Sequence, residues 1–167
     1  MATEGVKVFR IISGGQTGAD QGGLYAAREL GVPTGGTAPQ HWWTEAVAEE
    51  AILRGFGLVE CAEPGYDART KRNVVDADAT VIFGAYSTGG SALTAKIAEE
   101  ERMPLFHVAF PQTESEEGLE AVSVRFREWL DRFQIGVLNV AGNRESVNPG
   151  IQEFTRRFLV STLRGKV

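Results

Sequence analysis

The stretch Val6-Lys-Val-Phe-Arg-Ile-Ile-Ser-Gly-Gly-Gln-Thr-Gly-Ala-Asp20 decides the fold of this chain. Its first seven residues are mostly β-branched or apolar, which is typical of a buried strand. The glycine-rich turn Gly14–Gly18 follows directly, and residues 19–30 then show a helical pattern that ends at Gly31. The stretch therefore predicts a strand, a tight turn and a helix, which is the repeating unit of a parallel α/β sheet.

Two more apolar runs end in glycine-rich turns, Thr88-Gly-Gly-Ser91 and Ala141-Gly-Asn-Arg-Glu-Ser146. In a parallel α/β sheet the turns that leave the strands lie along the carboxyl edge, where ligands bind. Backbone N–H groups at helix starts are unpaired and carry partial positive charge, so anions bind there. The three turns together predict a cleft for an anionic small molecule that carries a phosphate.

The rest of the chain alternates between strand-like and helix-like segments. Predicted strands cover residues 6–12, 57–61, 79–84, 105–110 and 136–140; predicted helices cover 19–30, 44–54 (with Thr44 as N-cap), 67–78, 91–102, 116–133 and a segment from Pro149. Residues 33–40 are predicted to form a loop or short strand. Strands that are apolar on both faces and separated by helices predict a single-domain, Rossmann-like α/β fold over residues 1–167, with a doubly wound, mostly parallel sheet flanked by helices.

The composition is that of an ordinary globular protein, with 43% hydrophobic and 23% charged residues. The net charge of −5 argues against nucleic acid or an anionic membrane as the main partner, since both favour basic surfaces. Cys61 is the single cysteine, so neither an internal disulfide nor a cysteine-rich metal site is expected. The sequence shows no secretory leader and no long apolar run, and we expect a cytoplasmic protein.

The first glycine turn matches neither the dinucleotide fingerprint nor a P-loop, and no acidic residue follows between Thr34 and Gln40 to bind a ribose. This pattern argues against NAD and FAD. Three glycines exceed what a plain turn needs, and Gln16 and Thr17 add side-chain donors, which favours close approach of the backbone to a ligand. Asp20 stands in the first helical turn, where a carboxylate stabilises the helix dipole, and this structural role competes with a functional one.

The segment from Tyr66 to Asn73 is the one concentrated basic patch. On a helix Arg69 and Asn73 share a face with Thr70 beside them, and arginine offers a planar fork that matches phosphate or other oxyanions. Lys71 and Arg72 are interpreted as a solvated face. Arg144 and Ser146, in the loop before the last helix, are expected to complete the positive lining.

Other reactive residues do not form a recognisable catalytic or metal-binding pattern, and we predict neither a catalytic nor a metal site. His41 and His107 lack metal-ligand spacing, and His107 is interpreted as a hydrogen-bonded core histidine. Cys61 has no base near it in the sequence. Trp42 and Trp43 could stack on a flat heterocycle, but burial against the core or a subunit neighbour is the favoured interpretation.

Several motifs together resemble the molybdenum cofactor carrier family. They are Ser13-Gly-Gly-Gln-Thr-Gly-Ala-Asp20, Arg69-Thr-x-x-Asn73, Asp76-Ala-Asp-Ala-Thr80, Gly89-Gly-x-x-Leu-Thr94 and Leu138-Asn-Val-Ala-Gly-x-Arg-Glu-Ser146, ending at Pro149-Gly150. They occur in order from residue 8 to about residue 160.

The resemblance implies a Rossmann-like homo-oligomer, a dimer or tetramer, that binds, protects and delivers the pterin-based molybdenum cofactor. It also implies molybdoenzymes or cofactor-biosynthesis proteins as partners. The residues that it places around the cofactor are Gly14, Gly15, Gln16, Thr17, Gly18, Gly35, Gly36, Arg69, Thr70, Asn73, Thr88, Gly89, Gly90, Ser91, Thr94, Arg144 and Ser146.

A wider related group, the lysine-decarboxylase-like phosphoribohydrolases, provides an alternative. Their Pro-Gly-Gly-x-Gly-Thr loop is followed by acidic residues, whereas here Thr88-Gly-Gly-Ser-Ala-Leu-Thr94 is followed by Ala95 and Lys96. The carboxylate expected to assist hydrolysis of an N-glycosidic bond is missing at that place, so a carrier is favoured over an enzyme. A nucleotide-sensing module would use the same cleft and stays open.

Overall fold

The computed structural model of the protein describes residues 5, 7–47, 49–111 and 116–167, so Val6 of the predicted first strand lies outside the described residues. The strands are β1 (Arg10–Ile12), β2 (Thr34–Gly35), β3 (Thr37–Ala38), β4 (Val59–Glu60), β5 (Ala79–Phe83), β6 (Leu105–Val108) and β7 (Val137–Gly142); the helices are α1 (Ala19–Leu30), α2 (Glu50–Gly55), α3 (Tyr66–Val75), α4 (Gly89–Glu100), α5 (Glu116–Arg132) and α6 (Ile151–Leu163), and one 3₁₀ turn spans Gln40–Trp42.

The main sheet has the strand order β2-β1-β7-β5-β6, and all of its strand pairs are parallel. In the register of the sheet, Ile11 of β1 pairs with Leu138 of β7, and Val140 of β7 pairs with Val81 of β5. All five residues of β5 are buried, as expected for a strand covered on both faces. The predicted α/β fold with a mostly parallel sheet flanked by helices is therefore confirmed.

Five of the helices form two groups around the sheet. Helices α1, α5 and α6 share one large apolar core with the sheet, which contains Ala26, Phe126 and Phe158. Helices α3 and α4 pack against each other around a separate cluster of Val74, Ile97 and Ala98. The carboxyl ends of β5 and β7 emerge between the elements of these two groups, and this arrangement positions the site described below.

Residues 57–61 do not extend the main sheet, contrary to the prediction of an edge strand there. Instead β4 pairs with β3 in a separate two-stranded parallel sheet. The backbone explains this pairing, because the Val59 N–H donates to Gly36 O and the Cys61 N–H donates to Ala38 O. Residues 33–40, predicted to form a loop or short strand, contain both β2 and β3.

The predicted helix over residues 44–54 is wrong in its first half. Thr44 does not cap α2; its hydroxyl donates to Val47 O at 2.8 Å and closes a local turn. Val47 has a φ of +73°, in the left-handed region that interrupts a helix. Helix α2 therefore begins only at Glu50.

Other element ends shift by a few residues from their predicted positions, as is usual for boundaries assigned from sequence. Helix α4 begins at Gly89 rather than at Ser91, and β7 continues to Gly142 rather than ending at Val140. Among the described residues, no helix is both long enough and apolar enough to cross a membrane.

Candidate functional site

A cavity of about 560 Å³ opens beyond the carboxyl ends of β5 and β7. Its walls come from the turn before α1, from α3, from the start of α4 and from the loop after β7. The lining residues are Gln16, Asp20, Tyr66, Asp67, Arg69, Thr70, Ala85, Thr88, Gly89, Gly90, Ser91, Leu93, Thr94, Ala141, Gly142, Asn143, Arg144 and Val147. The cavity therefore lies where a parallel α/β sheet places its ligands.

The first glycine turn uses its backbone N–H groups inside the protein. The Gly15 N–H donates to Ser13 Oγ, the Gln16 N–H to Asp20 Oδ2, the Thr17 N–H to Gln16 Oε1, the Gly18 N–H to Gln152 Oε1 and the Ala19 N–H to Asn143 O. These N–H groups are already hydrogen bonded within the protein, so they are not available to the anion that was expected at the start of α1. The interpretation that this turn approaches a ligand with its own backbone is therefore not supported.

Close packing explains why glycines are needed in this turn. A Cβ atom at Gly14 would lie 1.7 Å from Arg69 Nη1, and one at Gly18 would lie 2.3 Å from Asn143 O. Gly15 and Gly18 also have positive φ angles of +79° and +84°. The turn thus brings Arg69 and the loop after β7 against the start of α1.

Asp20 is a site residue that sequence reasoning did not assign to the cavity. Its Oδ2 accepts the Gln16 N–H at 3.2 Å and lies 3.7 Å from Arg69 Nη1. Burial raises the pKa of Asp20 to about 6, although the charge of Arg69, the Gln16 N–H, the charge of Arg144 and the Gly14 N–H all act to lower it. A carboxyl group that titrates near neutral pH therefore stands in the cavity wall. The position of Asp20 after the glycine turn was the available signal, but its proximity to Arg69 depends on the tertiary fold.

Arg69, three residues after Tyr66 on α3, and Arg144, in the loop after β7, both contact the Tyr66 ring. Their Cζ atoms are 5.4 Å and 5.5 Å from the ring centroid, within the range of cation–π contact. The Tyr66 residue is 41% exposed and lines the cavity. One wall of the cavity therefore combines two guanidinium groups with an accessible aromatic ring.

Two buried donors in residues that line the cavity have no hydrogen-bond partner among the described residues, Gln16 Nε2 and Arg69 Nε. The orientation of the Gln16 amide is fixed, because its Oε1 accepts the Thr17 N–H at 3.1 Å and the Glu45 N–H at 2.9 Å. A buried donor without a partner is costly. An acceptor supplied by a ligand would remove this cost.

The start of α4 is open, in contrast to the start of α1. None of the described side chains caps α4, and a Cβ atom built at Gly89 or Gly90 would meet no described atom within 4 Å. Both glycines line the cavity. The free N–H groups and the helix dipole at this end attract an anion.

Asn143 joins the loop after β7 to the loop after β5. Its Oδ1 accepts the Ala85 N–H at 2.9 Å, and its Nδ2 donates to Ala85 O at 2.7 Å and to Ser91 Oγ at 3.2 Å. Ser91 and Asn143 both line the cavity. This amide therefore fixes two of its walls relative to each other.

Glu45 holds the first glycine turn against the loop after β7. Its carboxylate accepts hydrogen bonds from the hydroxyls of Thr17 and Ser146 and from the Ser146 N–H. Partial burial raises the pKa of Glu45, but the hydrogen bonds from Ser146 and Thr17 and the charge of Arg144 outweigh it and leave the pKa below its ordinary value. The Thr17 and Ser146 hydroxyls thus serve this contact between loops.

The structure brings part of the predicted residue set together at the cavity. The predicted residues that line it are Gln16, Arg69, Thr70, Thr88, Gly89, Gly90, Ser91, Thr94 and Arg144; those that do not are Gly14, Gly15, Thr17, Gly18, Gly35, Gly36, Asn73 and Ser146. Ligand binding by the first group stays a prediction.

Residues of the second group have structural contacts. A Cβ atom at Gly35 would lie 2.4 Å from Arg10 Nη2, and one at Gly36 would lie 2.1 Å from Ser13 O. Asn73 is buried, and its amide accepts the Thr37 N–H at 2.8 Å and donates to Thr37 O at 2.9 Å. These contacts order the elements beside the cavity.

The tryptophans and histidines lie outside the cavity lining. Trp42 is buried with the Arg54 guanidinium 4.6 Å from its ring, whereas Trp43 is 53% exposed. His107 Nε2 is hydrogen bonded with Gly84 O at 2.6 Å, but the residue is exposed, so its interpretation as a core histidine is wrong. Within the described ranges, no group of three or more His, Cys, Asp or Glu residues is arranged to hold a metal ion.

Comparison with known protein families adds the decisive observation. The model of the circularly permutated YpsA SLOG family (cpYpsA) matches residues 11–163, which include every element of the fold apart from the start of β1. The chain belongs to this family. Among curated protein sequences, none shows significant similarity to it.

A solved structure gives a second comparison for this cpYpsA chain. The crystal structure of a "Putative molybdenum carrier protein" from Syntrophus aciditrophicus SB is 32% identical and superposes with a TM-score of 0.84. The match covers 96% of the present chain and 97% of that chain. Together the two comparisons confirm the family that the sequence motifs predicted.

Proposed function

We propose that this cpYpsA protein binds the molybdenum cofactor and carries it to recipient enzymes. The observation that carries the proposal is the cavity of about 560 Å³, where the open start of α4 faces a wall that contains Arg69, Arg144 and the unpartnered Gln16 Nε2. Cavities of roughly 300–1,000 Å³ are typical of binding sites for small molecules and cofactors. The name given to the Syntrophus relative points to a molybdenum-containing ligand.

The residues present fit the two chemical parts of such a ligand. A phosphate group would be held by the N–H groups at Gly89 and Gly90 together with the Arg69 guanidinium. A flat pterin ring would pack against Tyr66 and Arg144, since a guanidinium plane and an aromatic ring both stack on heterocycles. The buried donors without partners would then acquire acceptors.

Several finer features of the proposal come from the family resemblance. We infer a homo-oligomer, and molybdoenzymes or cofactor-biosynthesis proteins as partners. A cavity between α3, α4 and the loop after β7 is suited to enclosing and protecting such a ligand. We infer no catalytic step for this function.

Retention of the cofactor tests the proposal. The protein is incubated with cofactor released from a molybdoenzyme and passed through a desalting column, and the pterin that remains bound is oxidised and measured by fluorescence. We expect stoichiometric retention by the wild-type protein, a loss with Arg69→Ala and no loss with Arg72→Ala, because Arg72 is exposed and pairs with Glu63. Failure of the wild-type protein to retain pterin would contradict the proposal.

Asp20 favours a second candidate function, hydrolysis of a nucleoside monophosphate. The sequence lacks an acidic residue after the second glycine turn, and Asp20 could take its role. Asp20 lines the same cavity from α1, and burial raises its pKa to about 6. Such a group is suited to general acid–base catalysis. Release of free base from AMP, saturable with substrate and abolished in Asp20→Asn, would place this function first; no release above background would exclude it.

A further inference from the structure

Asp20 is a buried carboxyl group in the wall of a cavity suited to anions. The residue is only 5% exposed, and it lines the same cavity as the open start of α4. Where water is largely excluded, an ionised carboxylate repels a bound oxyanion unless a cation or a proton compensates one of the two charges. The cation paired with Asp20 is Arg69, whose Nη1 lies 3.7 Å from Asp20 Oδ2. A ligand oxygen that binds Arg69 therefore competes with Asp20 for the same positive charge.

The charged groups that line the cavity leave no positive charge in excess. Among the described residues they are Arg69 and Asp67 from α3, Arg144 from the loop after β7, and Asp20 from α1; Tyr66 of α3 adds a phenol. The turn before α1, the loop after β5 and the start of α4 contribute no charged side chain to the described lining. Two guanidinium groups and two carboxylates cancel, so a bound oxyanion makes the lining negative.

A proton on Asp20 is the compensation that costs least. Asp67 is exposed, so water solvates its charge, whereas the Asp20 carboxylate is buried. Burial raises the pKa of Asp20 to about 6, even though the charges of Arg69 and Arg144 lower it. A negative ligand beside the carboxyl group raises this pKa further. Protonation of Asp20 therefore costs little free energy near neutral pH once an anion lies beside it.

We propose that the cavity binds an oxyanion together with one proton, which Asp20 takes up, and that the Asp20 O–H then donates a hydrogen bond to a ligand oxygen. The proton comes from the solvent, and no bond of the ligand is made or broken. A carboxylic acid has one donor and keeps acceptor lone pairs, so Asp20 can still accept the Gln16 N–H. The ligand class comprises oxyanions that carry no proton near neutral pH, such as sulfate esters and the dianions of phosphate monoesters.

This inference rests on the oxyanion site of the proposed function and adds a pH dependence to it. In the free protein Asp20 is ionised above about pH 6, so binding has to consume a proton there, and the affinity falls as pH rises. Below about pH 6 Asp20 is already protonated, and the affinity levels off. A bound anion is therefore held at low pH and released more readily at high pH.

Isothermal titration calorimetry with phenyl sulfate tests the inference on the wild-type protein. This ligand keeps its single negative charge across the measured range, whereas a phosphate monoester would titrate near pH 6. Titrations in two buffers of different ionisation enthalpy give the number of protons taken up per ligand. At about pH 7 we expect roughly 0.5–1 proton, and a dissociation constant that rises about three- to tenfold per pH unit from about pH 6.5 to about pH 8.

Three variants identify the carboxyl group that takes up the proton. Asp20→Asn keeps the shape of the side chain and cannot titrate, so we expect no proton uptake and an affinity that does not change with pH. Asp67→Asn tests the other carboxylate of the cavity and should retain the uptake. Asp76→Asn is the matched control and should also retain it, because Asp76 is exposed at the opposite end of α3 from Tyr66 and outside the cavity lining.

The outcomes distinguish this inference from the proposed function. Binding of phenyl sulfate that Arg69→Ala weakens, with no proton uptake and no pH dependence, would overturn the role of Asp20 and leave the oxyanion site intact. Uptake that persists in Asp20→Asn, or that Asp67→Asn abolishes, would also overturn this role. If the wild-type protein binds no phenyl sulfate even at about pH 6, the inference and the oxyanion site fail together. The wild-type measurements stand even if Asp20→Asn does not fold.

Discussion

Arg69 Nη1 lies 3.7 Å from Asp20 Oδ2, and the two side chains are only 14% and 6% exposed. The distance is longer than that of a hydrogen-bonded ion pair. Arg69 therefore keeps donor capacity that Asp20 does not use, and its Nε is without a partner among the described residues. The pair is arranged to receive a ligand as well as to stabilise the fold.

Arg69→Ala should weaken binding of phenyl phosphate by about 10- to 100-fold, because a charge-assisted hydrogen bond contributes roughly 1.5–3 kcal/mol. Arg69→Lys should recover only part of the affinity, since lysine keeps the charge but loses the planar fork. Isothermal titration calorimetry measures both. Arg72→Ala is the control, because Arg72 is 54% exposed on the same helix. Equal losses at the two positions would indicate diffuse electrostatics rather than a contact by Arg69.

Asp20→Asn should change how stability depends on pH. The folded pKa of about 6 lies above the ordinary value of 3.8, so ionised Asp20 opposes folding, and its contribution to the free energy of unfolding falls by roughly 3 kcal/mol in total as pH rises from well below 3.8 to well above 6. The variant lacks this contribution. The stability of the wild-type protein minus that of the variant should therefore decrease over this window and level off above about pH 7.

Urea denaturation at several pH values measures this difference. Other carboxyl groups titrate in both proteins and cancel in the comparison. A constant difference between the two proteins from pH 4 to pH 7 would mean that the Asp20 pKa is not raised by burial.

Gly14→Ala should mimic the loss of Arg69. The new Cβ would lie 1.7 Å from Arg69 Nη1 and 2.6 Å from its Cζ, so the guanidinium has to move. Because a long side chain can move at little cost, we expect weaker ligand binding, by about tenfold or more, with a small loss of stability. Gly55→Ala is the matched control, since its Cβ would meet no described atom within 4 Å. Unchanged binding in Gly14→Ala would argue against the described position of Arg69.

Asn143→Ala should destabilise the protein by about 1 kcal/mol, because it removes the hydrogen bonds to the exposed Ala85 backbone and to the buried Ser91 hydroxyl. Urea denaturation of Asn143→Ala, Ser91→Ala and the double variant forms a double-mutant cycle. We expect a coupling energy that differs clearly from zero. Additive effects would show that the Asn143 amide does not join the loop after β7 to α4 through Ser91.

The sequence was sufficient to predict the element types along most of the chain, because buried parallel strands and amphipathic helices have distinct periodicities. It could not provide the strand order. The insertion of β7 between β1 and β5 depends on packing between segments far apart in the chain. Thr44 shows a second limit of prediction from sequence. A threonine side chain can close a local turn or cap a helix, and here it closes a turn that ends in the left-handed conformation of Val47.

The sequence could predict those parts of the candidate site whose residues lie together on one helix. Helical spacing correctly put Arg69 and Thr70 on a face that meets the glycine turns, and both line the cavity. Spacing could not show that the N–H groups of the first turn are used internally, nor that Asp20 contacts Arg69. Both depend on distant segments that meet only in the folded chain.

The paired hydrogen bonds between the Asn73 amide and the backbone of Thr37 have one more consequence. A side-chain amide here imitates a peptide group, so α3 is attached to β3 in the way one strand is attached to the next. Helix α3, which carries Tyr66 and Arg69, and the small sheet of β3 and β4 should then move together as one rigid unit. The Arg69 guanidinium that lines the cavity is therefore positioned by the small sheet as well as by the packing of α3 against α4.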